Sequence, residues 1–472
     1  MSEILLRDVH HVATLSDAGE RFERVDILIQ DARIAAIGPD LERRYPVTAG
    51  VPRESVAART CLALPGLVNT HHHLFQTFQR ALPAVQDAKL FDWLMHLYGI
   101  WKHLDPEVVY WSTLLGGAEL LLTGCTTTSD HHYLFPRTAP AELLDAQFEA
   151  AEKLGLRLHA SRGSMSRGRT LGGLPPDEVV QDEEAILSDS ERVLQRWHDP
   201  APLAMRRVVL APCSPFSVTA SLMEETRRLA RAHGVHCHTH LAETEDENAY
   251  CLERYGRRPL RWMEDLGWLG ADVWFAHGVH FDADEIEVLA RTETGVAHCP
   301  TSNMRLGSGT APLLEMLQAG VHVGLGVDGS ASNDTSDMLG EVRQALLLAR
   351  TRGGPSALDA DTAFRLATRG SARLLGRASE LGSLEVGKAA DLVLVDLDRL
   401  DLAGALADPL AAVIFAGISH RVHTSIVNGR IVVRDGRLVT VDESEIARRA
   451  RALAARMLRQ AGVELPFRLP DW

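Results

Sequence analysis

Eight short apolar stretches, separated by helix-forming segments, run through the middle of this chain, and that alternation constrains its fold more than anything else. The apolar stretches are residues 62–69, 125–130, 156–162, 208–213, 235–240, 273–277, 295–298 and 321–328. Helical patterns such as 141–154, 221–233 and 282–291 lie between them, with capping-box spacing at Ser221–Glu224 and at Asp282–Glu285. A strand that returns parallel to its neighbour needs a crossover, usually a helix. Eight such units predict a closed (β/α)8 TIM-like barrel, an α/β architecture, rather than an open sheet.

The two ends read differently. Residues 3–64 look like strands and turns, and 25–38 alternates and then breaks at Gly38-Pro39, as a hairpin does. Near the C-terminus, 390–396 and 422–436 are apolar runs punctuated by Asn428-Gly429 and Asp435-Gly436, the strongest short hairpin signals. The expected layout is a small β-sandwich domain assembled from 1–64 and 385–440, a barrel over 65–384, and a helical tail over 441–472 that ends in a Pro-containing stretch.

Composition narrows the function classes. Of 472 residues, 46% are hydrophobic and 24% charged, which suits a globular protein with ample core. Lys and Arg number 49 against 63 Asp and Glu, a net charge of −14 that argues against nucleic-acid binding. No apolar run approaches the roughly 20 residues of a membrane helix, and the first residues lack the layout of a secretory signal. Six scattered cysteines without a C-x-x-C pair read as reduced thiols. A cytoplasmic enzyme is expected, and the sequon Asn333-Asp-Thr335 is incidental. Gly307-Ser-Gly309 completes neither a dinucleotide fingerprint nor a P-loop.

Chemistry in a barrel sits at the C-terminal ends of the strands. Here those ends read His71-His72-His73, Asp130-His131-His132, His238-Thr239-His240, Ala276-His277, Ala297-His298 and Val327-Asp328. A lone buried histidine is usually structural, but joint placement at strand ends favours a common site. His71 and His73 are one residue apart, so both rings face one side of an extended segment and can share a metal. His240 and Asp328 are candidates for the remaining ligands. Three His and a carboxylate suit one divalent ion, Zn²⁺ foremost, with Fe²⁺ and Mn²⁺ open. Such an ion lowers the pKa of bound water towards about 7. His277 is expected beside it, hydrogen-bonding the attacked group or the hydroxide. Glu243 is either a solvated residue opening a helix or a proton shuttle.

Together, Pro65-Gly-Leu-Val-Asn-Thr-His-His-His73, His240-Leu-Ala-Glu243, Ala276-His277-Gly-Val-His280, His298-Cys-Pro-Thr-Ser-Asn303 and Gly326-Val-Asp328-Gly-Ser-Ala-Ser-Asn333 resemble the amidohydrolase superfamily. The narrower resemblance is to its aminohydrolase branch of guanine, S-adenosylhomocysteine and triazine-type deaminases. It implies that His71, His73, His240 and Asp328 hold one metal. It also implies that Glu243, His277 and Asp328 are catalytic. Two-metal members use a carboxylated lysine on the fourth strand, and none stands in Val208-Val-Leu-Ala-Pro-Cys213. The unrelated base deaminases with H-x-E and P-C-x-x-C do not match either.

The string His71-His-His-Leu-Phe-Gln76-Thr-Phe-Gln-Arg80 is most similar to that of 8-oxoguanine deaminases, with hydroxytriazine and isoxanthopterin hydrolases as relatives. Cys213 where nucleoside deaminases have His, and Asn69 where guanine deaminases tend to have Asp, point to a free oxidised purine-like base. The small-molecule partner is therefore a heterocyclic base. Isocytosine, a pterin or an aminotriazine, loss of chloride or alkylamine from a triazine, and a non-enzymatic metal-binding scaffold are the alternatives. Gln76 is expected to read the ring edge, its amide both donating and accepting. Arg162 could bind a base carbonyl or form an ordinary ion pair. Trp93 could wall the pocket or be core. Cys213 is expected to shape the pocket, not react. A homo-oligomer is an expectation from the resemblance alone.

Overall fold

The computed structural model describes residues 2–140 and 142–465. Eight parallel strands form the barrel: β6 (Leu67–Asn69), β7 (Cys125–His132), β8 (Arg157–Ser164), β9 (Arg206–Pro212), β10 (Cys237–Leu241), β11 (Val273–His277), β12 (Gly295–His298) and β13 (Val323–Leu325). They are ordered as in the sequence. The ring closes where Thr70, just past β6, donates its backbone N–H to the Leu325 carbonyl at 3.0 Å. Strands β6 through β13 are buried almost throughout, as the near-continuous apolar runs of a parallel sheet require.

The remaining strands belong to the termini: β1 (Glu3–Ala13), β2 (Arg21–Gln30), β3 (Arg33–Gly38), β4 (Arg53–Ala57), β5 (Cys61–Pro65), β14 (Leu392–Asp396), β15 (Thr424–Val427), β16 (Arg430–Arg434) and β17 (Arg437–Leu438). They make one continuous nine-stranded sheet, joined where β5 and β14 pair antiparallel. Ile34 of β3 and Ile431 of β16, at opposite ends, share a core with Leu6, Ile27 and Leu392. The sheet therefore curls over itself as a small sandwich does. Arg157 of β8 ties it to the barrel through a buried double contact with Asp391, at 3.0 Å for each oxygen.

Three local expectations need correction. The chain reverses inside 25–38, at Asp31-Ala32, and not at Gly38-Pro39. Gln30 pairs with Arg33, and Asp31 takes the left-handed conformation (φ 50) that Asp tolerates better than most residues. Residues 62–69 are two strands: β5 serves the terminal sheet and β6 the barrel. The helix Ala220–His233 is capped by Thr219, whose hydroxyl accepts from Leu222 N, while Ser221 turns its hydroxyl to Glu183. The box at Asp282–Glu285 is present on the helix Ala283–Thr292.

The segment 141–154 is helical from Leu143 to Leu154, and Ala141 lies outside the described residues. Asn428-Gly429 and Asp435-Gly436 both sit at positive φ in tight hairpins. The tail forms the helix Glu443–Gln460, and the Pro-containing end lies outside the described residues. No described helix is long and apolar enough to cross a membrane. All six cysteines are buried and unpaired.

Candidate metal centre and ligand cavity

The strand ends do converge. His73 Nε2 lies 3.1 Å from His240 Nε2 and 3.2 Å from Asp328 Oδ1, and His71 Nε2 lies 3.3 Å from the same oxygen. His277 Nε2 faces Asp328 Oδ2 at 3.9 Å and Glu243 Oε2 at 3.6 Å. All six side chains are buried. Burial drives the imidazoles of His71 and His240 well below the usual histidine range, so both are neutral and offer lone pairs.

Each group is also held from behind. His73 Nδ1 bonds the His131 carbonyl at 2.7 Å, and His240 Nδ1 the Cys213 carbonyl at 2.6 Å. Asp328 Oδ2 accepts from Ser302 at 2.5 Å and Ser332 at 3.0 Å. His277 Nδ1 meets Asn303 Oδ1 at 2.9 Å. His277 (φ 75) and Asp328 (φ 65) both occupy the left-handed region, which His and Asp enter more readily than most side chains. The residues fit a divalent cation. Three ring nitrogens and a carboxylate oxygen crowd one point, and His71 Nε2 is buried there without making a hydrogen bond.

Sequence reasoning missed the anchors Ser302, Ser332, Asn303 and His238. It also missed that His131 stacks on His240, with ring centres 4.7 Å apart. Asp130 faces away from the cluster, accepting from Leu74 N at 2.6 Å and Gln147 at 2.7 Å.

Beside the cluster lies a cavity walled by Leu90, Trp93 and Leu94 of the helix Leu90–Trp101, by Tyr133, and by Phe216 and Leu306. Gln76, Trp93, Cys213, Glu243 and Ser332 also line it. Gln76 Oε1 and Trp93 Nε1 are buried with no hydrogen-bond partner. Gln76 fits against the loop after β13 only because residue 329 is glycine: a Cβ there would lie 1.9 Å from Gln76 Oε1. Burial, with the charge of Asp328 adding to it, pushes the Glu243 carboxyl up to about 8, a proton donor at neutral pH. Glu243 is therefore not a solvated residue opening a helix, and the helix begins two residues later at Glu245. Burial pushes the Cys213 thiol up to about 12, which leaves it a wall and not a nucleophile.

Arg162 is the misplaced expectation. It does not line the cavity. Its guanidinium bonds Asp189 at 2.6 Å, Gln181 at 3.0 Å and the Gly163 carbonyl, and stacks 3.7 Å from the Phe135 ring centre. A buried cation needs compensation, and Asp189 from the neighbouring helix Glu183–Trp197 claims it.

Residues 62–432 match the amidohydrolase family model. This chain belongs to the amidohydrolase family. Like the deaminases among its relatives, this amidohydrolase is a hydrolase of C–N bonds. It is 48% identical over 397 residues to the 8-oxoguanine deaminase of Pseudomonas aeruginosa, covering 84% of this chain and 88% of that one. It is 41% identical over 467 residues to the hydroxydechloroatrazine ethylaminohydrolase of Pseudomonas sp. strain ADP, covering 97% and 96%. Its fold superimposes with a TM-score of 0.90 on the zinc complex of the atrazine chlorohydrolase TrzN from Arthrobacter aurescens TC1. That structure is 35% identical, with 96% of this chain and 100% of that chain covered.

Proposed function

We propose that this amidohydrolase deaminates a free purine-like base, converting 8-oxoguanine and water to urate and ammonia. The observation that carries the reading is a cavity in which a Gln76 carboxamide with an unpartnered oxygen and a buried Glu243, its carboxyl pushed up to about 8, flank the converged histidines. The 48% identity to an 8-oxoguanine deaminase supports the choice of ring.

His71, His73, His240 and Asp328 hold one divalent cation, Zn²⁺ by ligand type. When bound, it supplies a Lewis acid and a water ionised near neutrality. The chain's own groups do the rest. Gln76 and Trp93 orient the flat ring through donors and acceptors in its plane. Glu243 gives its proton to the ring nitrogen next to the carbon bearing the amine. Asp328 takes a proton from the attacking water as its oxygen bonds that carbon. His277 hydrogen-bonds the developing tetrahedral centre. Asp328 then returns its proton to the amine, the C–N bond breaks, ammonia leaves, and the remaining hydroxyl proton returns to Glu243 as the product carbonyl forms.

Ammonia release by Zn²⁺-loaded protein should be measured against 8-oxoguanine, guanine, isocytosine, isoxanthopterin, adenosine and a hydroxytriazine. The expected result is the highest kcat/KM for 8-oxoguanine, with urate as product. A second reading, removal of alkylamine from a hydroxytriazine, is favoured by the 41% identity over nearly the whole chain to an ethylaminohydrolase. Ethylamine release from an N-ethyl hydroxytriazine with the larger kcat/KM would replace the first.

A further inference from the structure

The three imidazoles that converge on the cation are anchored at Nδ1, but not alike. His73 and His240 meet backbone carbonyls, which only accept, so each keeps its proton on Nδ1 and its lone pair on Nε2. His71 Nδ1 instead meets another ring nitrogen, His238 Nε2, at 2.8 Å. A contact between two imidazoles does not by itself say which nitrogen carries the proton.

The next contact decides it. His238 Nδ1 lies 2.8 Å from the Trp274 carbonyl oxygen, so Nδ1 must donate. A neutral His238 has one N–H, and its Nε2 is then a bare acceptor. His71 must therefore donate from Nδ1, which leaves Nε2 unprotonated and aimed at the cluster. His238 is fully buried and stacked on the Trp274 indole, with ring centres 4.5 Å apart at 18°. That stacking holds the ring in the plane the relay needs.

We infer that His238 is a positioning residue: it passes the acceptor character of the Trp274 carbonyl through two imidazoles and holds His71 in its cation-binding tautomer. The inference rests on the metal reading above and not on the substrate. Gln can substitute for the ring's function, because its carboxamide can donate to the Trp274 carbonyl and accept from His71. Leu fills similar space and can do neither.

The test is the Zn²⁺ affinity of metal-stripped protein, measured by competition with a chromophoric chelator, for the wild type, His238→Leu and His238→Gln. His238→Leu is expected to bind Zn²⁺ about 10- to 100-fold more weakly, and His238→Gln to recover most of that loss. Equal affinities for the wild type and His238→Leu overturn the relay while leaving the metal reading intact. A His238→Gln protein as weak as His238→Leu also overturns it, since packing alone would then explain the loss. A wild type that does not bind Zn²⁺ overturns both.

If His238→Leu does not fold, long-range ¹⁵N NMR of histidine-labelled, metal-free wild type decides. Protonation of His71 on Nδ1 supports the relay, and protonation on Nε2 overturns it.

Discussion

The two sides of the cavity are built on opposite principles. On the ligand side, side chains have a second partner that fixes their direction: carbonyls behind His73 and His240, hydroxyls behind Asp328, a carboxamide behind His277, an imidazole behind His71. On the facing wall, Gln76 Oε1 and Trp93 Nε1 are as deeply buried and have none. An unpaired buried polar atom costs about 1–3 kcal/mol, so it persists where an incoming group will pair it. One side is set before any ligand arrives, and the other is completed by the ligand. Chemistry and recognition can therefore be separated by mutation.

The largest effect is expected from stripping the cation. Chelation should abolish turnover and lower the unfolding temperature, since a ligand bound only by the folded state stabilises it. Added Zn²⁺ should restore both. Turnover that survives with metal content near zero breaks the ligand-side reading. Next comes Glu243→Gln, which should leave metal content unchanged and lower kcat by roughly 10²–10⁴.

The pH profile carries the same information. Glu243 works as an acid, and burial beside Asp328 raises its carboxyl to about 8. Activity is thus present below that pKa and lost as pH rises through it. A bound cation favours the ionised form and moves this alkaline limb to lower pH. An unchanged alkaline limb in Glu243→Gln, measured on its residual rate, would assign it to another group.

How much of this is legible in the sequence follows the same division. The barrel is legible because eight apolar strands must be buried on both faces. The ligands are legible because H-x-H on a strand puts two rings on one side whatever surrounds them. Glu243 is legible through its motif. The anchors are harder. Ser302 and Asn303 stand inside a recognisable string, yet nothing local says that one turns to Asp328 and the other to His277. His238 repeats the H-x-H spacing with His240, a signal that could find it, but its partner Trp274 is on the next strand. Arg162 shows the reverse failure, for a cation at a strand end looks like a ligand contact until the neighbouring helix brings up Asp189.

The recognition wall gives intermediate effects. Gln76→Leu removes the unpartnered acceptor and leaves the ligand side untouched. Losing one paired contact of about 1–3 kcal/mol corresponds to roughly 5- to 150-fold in kcat/KM. The loss should be greatest for the best base in the panel, with Zn²⁺ affinity unchanged. Gly329→Ala should mimic it by driving the Gln76 carboxamide out of place. Equal losses for every base would mean that Gln76 packs the site without reading the ring.

The smallest effect on catalysis is expected from Arg162→Met, and it tests the separation most directly. Arg162 stands at the C-terminal end of a barrel strand, where a contact to substrate would be anticipated, but its guanidinium is spent on Asp189, Gln181 and Phe135. Removing one partner of a buried ion pair costs about 3–5 kcal/mol when the other charge is stranded. Asp189 keeps Arg192 at 2.7 Å, so the loss should fall at or below the low end of that range. Urea unfolding should show a lower midpoint, while the ranking of bases by kcat/KM stays as in the wild type. The methionine stem still covers the Phe135 ring. A changed ranking of 8-oxoguanine against guanine in this variant would return Arg162 to the recognition wall and undo the division between the two sides.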